Sequence, residues 1–223
     1  MEPVIAIDGP SGAGKSSVAR ALAIRGGWRY LDTGALYRSM TLGLLHRGLA
    51  GITTERSQWI CERESEIKIS AGLIAEEPKI FCDGIDVGRE IRGEIVTKNV
   101  SEVSALPCVR SRLLSLQHEL IGSGGIVVEG RDIGSVVWPL AEVKFYLTAD
   151  IDARARRRHA EELTDYGLTV VESLLAERDL IDSQRSASPL TIAAGAVLLD
   201  TTELALDEVV SRMWDEIGRG LAS

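Results

Sequence analysis

The chain has 223 residues, which fits one α/β domain with an insertion or at most two small domains. Hydrophobic residues make up 45% of it, enough for a core, and the formal net charge of -8 disfavours a protein that wraps nucleic acid. An acidic chain still binds phosphate if its arginines gather in one cleft. The longest apolar stretch, residues 190–199, is too short to span a bilayer, and the first residues do not resemble a signal peptide. We therefore expect a cytoplasmic protein with no membrane and no nucleic-acid partner.

Short apolar runs bounded by glycine or aspartate predict the strands, at residues 4–7, 29–31, 125–128, 143–147 and 196–199. Their continuous apolar character indicates burial on both faces, as in a parallel sheet. Helical patterns lie between them, at residues 15–24, 95–120 with a break near Pro107, 151–163 and 170–184. The sequence therefore predicts an α/β fold with a five-stranded parallel sheet flanked by helices.

One region departs from this alternation of strands and helices. Residues 66–70 and 79–87 alternate polar and apolar side chains, which predicts half-exposed antiparallel strands. We interpret them as a small antiparallel sheet inserted at about residues 63–102. No linker composition marks a second independent domain, so we expect a single domain over residues 1–223.

The cysteines are Cys61, Cys82 and Cys108. Their odd number and the absence of a CxxC pair indicate neither a disulfide framework nor a zinc site. We expect three buried, reduced thiols.

Residues 9–16, GPSGAGKS, match the P-loop pattern G-x-x-x-x-G-K-[ST], between a predicted strand and a predicted helix. Glycines let consecutive backbone N–H groups point inward at an anion, and the helix N-terminus adds its dipole. We expect Lys15 to reach the β- and γ-phosphates of a nucleoside triphosphate and Ser16 to ligate Mg²⁺. The predicted triphosphate-binding residues are Gly9, Pro10, Ser11, Gly12, Ala13, Gly14, Lys15, Ser16 and Ser17.

A P-loop alone does not distinguish GTPases, ATPases and small kinases, so the distinction must come from other charged groups in the sequence. The segment after the second strand places Arg38 in the first turns of a helix at the carboxyl edge of the sheet, where ligands of open α/β sheets bind. Asp32 and Thr33, at the start of that helix, are equally explained as N-caps.

Two further groups follow. Arg131 and Asp132 lie between glycines where the strand at 125–128 ends, and they read as a site or as a structural ion pair. Arg178, Asp182 and Arg185 are spaced i, i+4 and i+7, so they share one helix face, which is also the pattern of a solvated salt-bridge stripe.

The run of arginines in residues 151–163 also has two readings. Arg157 and Arg158 stand four residues before Glu161 and Glu162, as on an ordinary helix surface. The same segment, extended to about residue 168, could instead close over a triphosphate as a lid through Arg154, Arg157 and Arg158.

Taken together, these motifs resemble the bacterial cytidylate kinases, a family of P-loop nucleoside monophosphate kinases. The resemblance runs nearly end to end. It is carried by IAIDGPSGAGKSS, YLDTGALYR, the stretch from Asp86 to Ser101, LPCVR at 106–110, EGRDIGSVV at 129–137, and the RDxxDxxRxxxPL pattern at 178–190. Thr33 stands where serine is usual in the family and Glu129 where aspartate is common. Residues 46–64 and 160–172 carry no recognisable signature.

The resemblance implies ATP as donor with Mg²⁺, CMP or dCMP as acceptor, a monophosphate-binding insertion, a helical lid and catalytic roles for Lys15, Arg131 and Arg185; we expect a monomer. Arg38, Arg131 and Arg185 would hold the monophosphate, and Arg178 and Asp182 would contact the sugar. The cytosine would be read by Ser101, Arg110, Asp132 and Thr33. A carboxylate suits the cytosine N4 amine, a donor that uracil lacks.

Two rival functions stay open at this point. A kinase of a small hydroxylated metabolite, of the shikimate type, would need a carboxylate base, for which Asp32 could serve. A nucleotide-gated switch would need a segment that senses the γ-phosphate, and no such sequence is evident.

Overall fold

A five-stranded parallel sheet forms the centre of the molecule. The computed structural model describes residues 2–49, 54–161, 167–184 and 190–222. The strands are β1 Val4–Asp8, β2 Arg29–Asp32, β6 Ile126–Glu129, β7 Val143–Thr148 and β8 Val197–Asp200. Their order across the sheet is β2-β6-β1-β7-β8, with every neighbouring pair parallel. This confirms the five predicted strands and the predicted sheet type.

Helices cover both faces of this sheet. Within the described residues they are α1 Lys15–Gly26, α2 Thr33–His46, α3 Thr54–Arg63, α4 Glu94–Ala105, α5 Pro107–Ile121, α6 Ile151–Glu161, α7 Leu168–Gln184 and α8 Leu206–Leu221. The predicted break at Pro107 is confirmed, because this proline opens α5, where its missing N–H costs no helical hydrogen bond. None of the helices that the structure describes is long and apolar enough to cross a membrane.

The alternation of side chains along the central strand divides the core into two layers. Val4 and Ala6 of β1 pack into the cluster beneath α2, α4 and α5, and Ile5 and Ile7 pack into the cluster beneath α1 and α8. All five residues of β1 are buried. Both faces of the strand are therefore apolar, which is why the sequence shows an unbroken apolar run rather than an alternating one.

The antiparallel insertion is also confirmed. Its strands are β3 Ile69–Gly72, β4 Lys79–Cys82 and β5 Ile85–Asp86, in the order β3-β4-β5. The loop after β3 docks on the edge of the parallel sheet, where the Tyr30 amide donates to the Leu73 carbonyl at 3.0 Å. Arg20 of α1 donates to the Ala75 carbonyl at 3.2 Å, which ties the same loop to the helix that follows the P-loop.

The prediction of three reduced thiols is wrong for Cys61 and Cys108. They form a disulfide between α3 and the first turn of α5, with 5.6 Å between their Cα atoms, whereas Cys82 is free and buried as predicted. The two cysteines lie 47 residues apart in sequence, and only the packing of α3 beside α5 brings them together. An odd cysteine count does not exclude one bridge and one free thiol.

This disulfide should stabilise the fold measurably. The loop that it closes spans 47 residues, so replacing both cysteines by serine should lower the free energy of unfolding by about 4 kcal/mol. Urea unfolding with and without a dithiol reductant measures this, and reduced wild-type protein should then match the Cys61→Ser, Cys108→Ser variant. The disulfide would be contradicted if the reductant did not change the free energy of unfolding of wild-type protein and if three thiols could be titrated in denaturant.

Candidate functional site

The P-loop lies between the end of β1 and the start of α1 in a conformation that requires glycine. Gly9 has a φ of 147°, and a Cβ there would lie 2.0 Å from the Leu147 carbonyl oxygen. Gly14 caps α1 with a φ of 84°. The loop therefore turns tightly into the N-terminus of a twelve-residue helix, an arrangement that favours an anion.

Lys15 is buried at the base of this loop. Its Nζ donates to the Pro10 carbonyl at 2.7 Å. Burial lowers the pKa of Lys15, and Arg131 lowers it further, while the Glu129 carboxylate opposes them. A phosphate group placed beside Lys15 would favour its charged form.

Glu129 closes the floor of the site below Lys15. It is buried at the end of β6 and accepts a hydrogen bond from the Tyr30 hydroxyl at 2.5 Å. Burial raises the pKa of Glu129, and the neighbouring Asp32 raises it further. The nearby Ser16 hydroxyl lowers the pKa of this carboxylate. Lys15 and Glu129 thus form a buried pair of opposite charges, and each favours the charged form of the other.

A cleft of about 200 Å³ opens over the P-loop and is strongly basic, although the chain as a whole is acidic. Seven basic side chains line it against four carboxylates. The basic residues are Lys15, Arg38, Arg92, Arg110, Arg131, Arg158 and Arg178, and the acidic residues are Asp32, Glu129, Asp132 and Asp182. The arginines of this acidic chain therefore do gather in one cleft, and the excess of positive charge fits an anionic ligand.

The arginines that face the P-loop have lowered pKa values, because they are buried and lie near other arginines. Arg38 is buried and donates to the Ile91 carbonyl at 3.0 Å and to Thr97 Oγ1 at 2.9 Å. Burial lowers the pKa of Arg38, and Arg178 lowers it further. Burial likewise lowers the pKa of Arg178 to about 10, with Arg131 as the next cause. Among the described residues, nothing accepts a hydrogen bond from the buried Nε of Arg178.

Arg131 connects three parts of the site. Its Nε donates to Asp182 Oδ2 at 2.8 Å, and its Nη1 donates to the Gly9 carbonyl at 2.5 Å. The loop after β6 is thereby tied both to the first residue of the P-loop and to α7. Arg131 and Asp132 are therefore not an ion pair with each other, because each pairs with a residue from another element.

The far end of the cleft holds a second buried pair. Asp132 accepts from Arg110 of α5, and the guanidinium of Arg110 lies 5.5 Å from the centre of the Tyr37 ring. Arg110 also donates to the Ser104 carbonyl at 3.4 Å. A carboxylate, a guanidinium and an aromatic ring at one end of a cleft suit a planar heterocycle with donors and acceptors at its edge.

The residues at the start of α2 have separate tasks. Asp32 caps this helix, since its Oδ1 accepts from the Ala35 amide at 3.0 Å. Thr33 is buried in the cleft wall and donates to the Glu129 carbonyl at 2.8 Å. Asp32 is thus explained as a helix cap, one of the two readings that its position allows.

Ser104, rather than the predicted Ser101, lines the cleft wall on α4. Ser101 is buried, and its carbonyl accepts from the Ser104 hydroxyl at 2.9 Å. The two positions are three residues apart on one helix face, so the sequence alone does not decide which of the two serines lines the cleft.

The three arginines predicted for a lid separate in the structure. Arg158 lines the cleft. Arg154 is buried, donates to the Ser11 carbonyl at 3.1 Å and pairs with Asp179, so it holds the P-loop from behind. Arg157 donates to Thr201 Oγ1 at 2.9 Å and to the Thr201 carbonyl at 2.5 Å. Arg185 lies outside the described residues, and so does Pro189.

Comparison with known proteins gives one consistent family. The cytidylate kinase family model matches residues 5–219. The cytidylate kinase of Rhodococcus opacus (strain B4) is 48% identical over 214 residues, which cover 94% of this chain and 92% of that protein. The cytidylate kinase of Nocardia farcinica (strain IFM 10152) is 47% identical over 225 residues, covering 98% of this chain and 93% of the relative.

Among solved structures, a protein from Eubacterium ventriosum ATCC 27560 aligns with a TM-score of 0.51 and 10% identity, covering 97% of this chain and 99% of that one. At that identity the likeness concerns the fold alone.

The support behind the P-loop gives a testable expectation. Asp179 pairs with Arg154 and accepts from the Ser11 amide at 3.3 Å, so Asp179→Asn should loosen the loop and weaken binding of a non-hydrolysable ATP analogue about tenfold. Calorimetry measures this, with Glu177→Gln, an exposed position on the same helix, as the matched control. Equal affinities in the two variants would mean that the loop does not depend on Asp179.

Proposed function

The chain belongs to the cytidylate kinase family, and from that membership and the geometry of its cleft we propose that it transfers the γ-phosphoryl group of ATP to the phosphate of CMP or dCMP. The observation that carries the proposal is a basic cleft in an acidic chain, with a P-loop on one wall and arginines on the other. Two anions bound to these walls would meet between them.

The P-loop would hold the donor. Residues 9–17 would surround the triphosphate of ATP, and Lys15 would leave the Pro10 carbonyl to reach the β- and γ-phosphates. Binding of the phosphates would require little reorganisation, since the buried Lys15 already lies at the helix N-terminus.

The arginine wall would hold the acceptor. Arg38, Arg131 and Arg178 carry positive charges whose mutual repulsion an anionic phosphate would relieve. In this proposal Arg38 and Arg131 bind the monophosphate together with Arg185. Arg178 and Asp182 contact the sugar, with the orphaned Nε of Arg178 as an available donor.

The far end of the cleft would read the base. Asp132 gives one carboxylate oxygen to Arg110, and the other would accept from the N4 amine of cytosine. Arg110 would serve the acceptor atoms N3 and O2. Ser104 and Thr33 complete the wall at this end, with Ser101 behind them.

The chemistry that these groups perform is positioning and charge neutralisation. The attacking atom is an anionic phosphate oxygen, so no general base is required. Arg131 contacts both the P-loop and the acceptor wall, so it can hold the two reacting groups in line while neutralising the transferred phosphoryl group. Closure of α6 with Arg158 over the cleft would exclude water and so limit hydrolysis of ATP.

Magnesium fits this site as a metal carried chiefly by the nucleotide. The described residues contain no group of three or more histidine, cysteine or acidic side chains that could hold a metal by themselves. The Ser16 hydroxyl and the adjoining Glu129 carboxylate offer the oxygen ligands that Mg²⁺ prefers. When bound, the ion would neutralise charge on the β- and γ-phosphates.

The structure does not favour the rival kinase of a hydroxylated metabolite, because one oxygen of its candidate base already accepts a backbone hydrogen bond. Asp32, the candidate for that role, is engaged as the cap of α2.

The proposal also retains a single domain, in which residues 63–102 bind the monophosphate and residues 151–168 form the lid, and a monomer in the cytoplasm.

An ADP-release assay across all nucleoside monophosphates tests the proposal directly. We expect rapid turnover with CMP and dCMP, little with purine monophosphates, and negligible hydrolysis of ATP without an acceptor. Shikimate and gluconate serve as hydroxyl acceptors in the same panel. Turnover with one of these, or equal hydrolysis with and without CMP, would reject the assignment.

The base-reading assignment makes a separate prediction for Asp132. Asp132→Asn preserves the volume beside Arg110 but places an amide, which can donate, opposite the base. We expect the ratio of kcat/KM for CMP to that for UMP to fall at least tenfold, while KM for ATP changes little. Steady-state kinetics with both acceptors measure this ratio. An unchanged ratio would show that Asp132 does not read the base.

A further inference from the structure

A buried carboxylate that touches neither wall of the cleft fixes the loop that carries Arg131 and Asp132. Asp8 is the last residue of β1 and is 2% exposed. Its Oδ1 accepts from the Ile133 amide and its Oδ2 from the Gly134 amide, each at 2.8 Å. Both carboxylate oxygens therefore accept hydrogen bonds from two consecutive backbone amides of another element.

These two amides begin the π-helical turn Ile133–Val137, directly after Asp132. The side chain of Asp132, which would normally cap such a turn, is instead committed to Arg110. Asp8 supplies the missing acceptors from the neighbouring strand. A third bond, from the Gly130 amide to the Ile7 carbonyl at 3.0 Å, holds the other end of the same loop against β1.

We propose that Asp8 is a positioning residue for the acceptor nucleotide, an inference that rests on the proposed function. It clamps the backbone on the C-terminal side of Arg131 and Asp132, so that the guanidinium meets the monophosphate and the carboxylate meets the base. Because the next residue in the chain is Gly9, the same side chain fixes the acceptor loop relative to the start of the P-loop. Asp8 thus acts through other residues and touches no substrate itself.

The environment of Asp8 gives the clamp a sensitivity to pH. Burial raises the pKa of Asp8 to about 6, against the lowering effect of its two backbone hydrogen bonds. The charged and titratable groups that face it are Asp132, which also raises this pKa, Lys15, which lowers it, and Tyr146 on the paired strand β7. Above about pH 6 the carboxylate accepts both bonds, and below it the added proton weakens one of them.

The test compares Asp8→Asn with wild-type protein by calorimetry, with CMP and with a non-hydrolysable ATP analogue as separate ligands. Asparagine keeps the shape but offers one acceptor and one donor, so one amide faces an N–H group. We expect the dissociation constant for CMP to rise about tenfold at pH 8, while that for the ATP analogue changes less than threefold. The ratio of the two CMP constants, variant to wild type, should approach one as the pH falls from 8 to 5. The titration of the phosphate of CMP itself cancels in that ratio.

Glu142→Gln is the matched control. Glu142 accepts from the Val4 amide at 2.8 Å, so it forms the same kind of bond at the opposite end of β1, away from the cleft. It should leave the CMP constant unchanged. Equal losses for both ligands in Asp8→Asn, an unchanged CMP constant, or a ratio that stays constant with pH would overturn the positioning role.

A measurement on wild-type protein covers the case in which Asp8→Asn does not fold. The amide resonances of Ile133 and Gly134 should titrate with a midpoint near pH 6, and amides that do not respond would overturn the clamp. Failure of the proposed function is distinguishable, because wild-type protein would then neither bind nor phosphorylate CMP while these amides still titrate.

Discussion

The site depends on the side chain of Arg131, which joins parts of the chain that are distant in sequence. One nitrogen donates to the Gly9 carbonyl in the P-loop and another to the Asp182 carboxylate on α7. The P-loop, the loop after β6 and α7 are thereby held in one arrangement before any ligand arrives. Preorganisation of this kind reduces the reorganisation that phosphoryl transfer would otherwise require, because the charges that must meet the transferred group already point into the cleft.

The same arrangement concentrates positive charge in the cleft. The arginines there repel one another, and a bound anion would reduce this repulsion. Burial is the largest cause that lowers the pKa of Arg38 and of Arg178; Arg178 lowers that of Arg38 further, and Arg131 lowers that of Arg178 further. The carboxylates in the cleft are committed to particular partners, Asp132 to Arg110 and Asp182 to Arg131, so they hold the arginines in place without neutralising the cleft. Binding of phosphate should therefore stabilise the fold as well as prepare the reaction.

Much of this could be predicted from the sequence, because its signals are local. The apolar runs gave the strands since β1 is buried on both faces, and the P-loop pattern is a contiguous stretch of backbone. Partners distant in sequence could not be predicted. The pairing of Cys61 with Cys108, the capture of Arg154 by Asp179 and the clamp from Asp8 all depend on which elements pack together. Helix α8 was missed although its buried residues Val209, Val210, Met213 and Ile217 recur at helical spacing, a local pattern that predicts an amphipathic helix.

The central claim is that donor and acceptor occupy one continuous cleft on either side of Arg131. A compound that joins adenosine and cytidine through five phosphates tests it most directly, with binding followed by calorimetry in the presence of saturating ATP analogue or saturating CMP. We predict one molecule bound per chain and competition with each nucleotide separately. Binding of two molecules per chain, or competition with only one of the two nucleotides, would contradict the account.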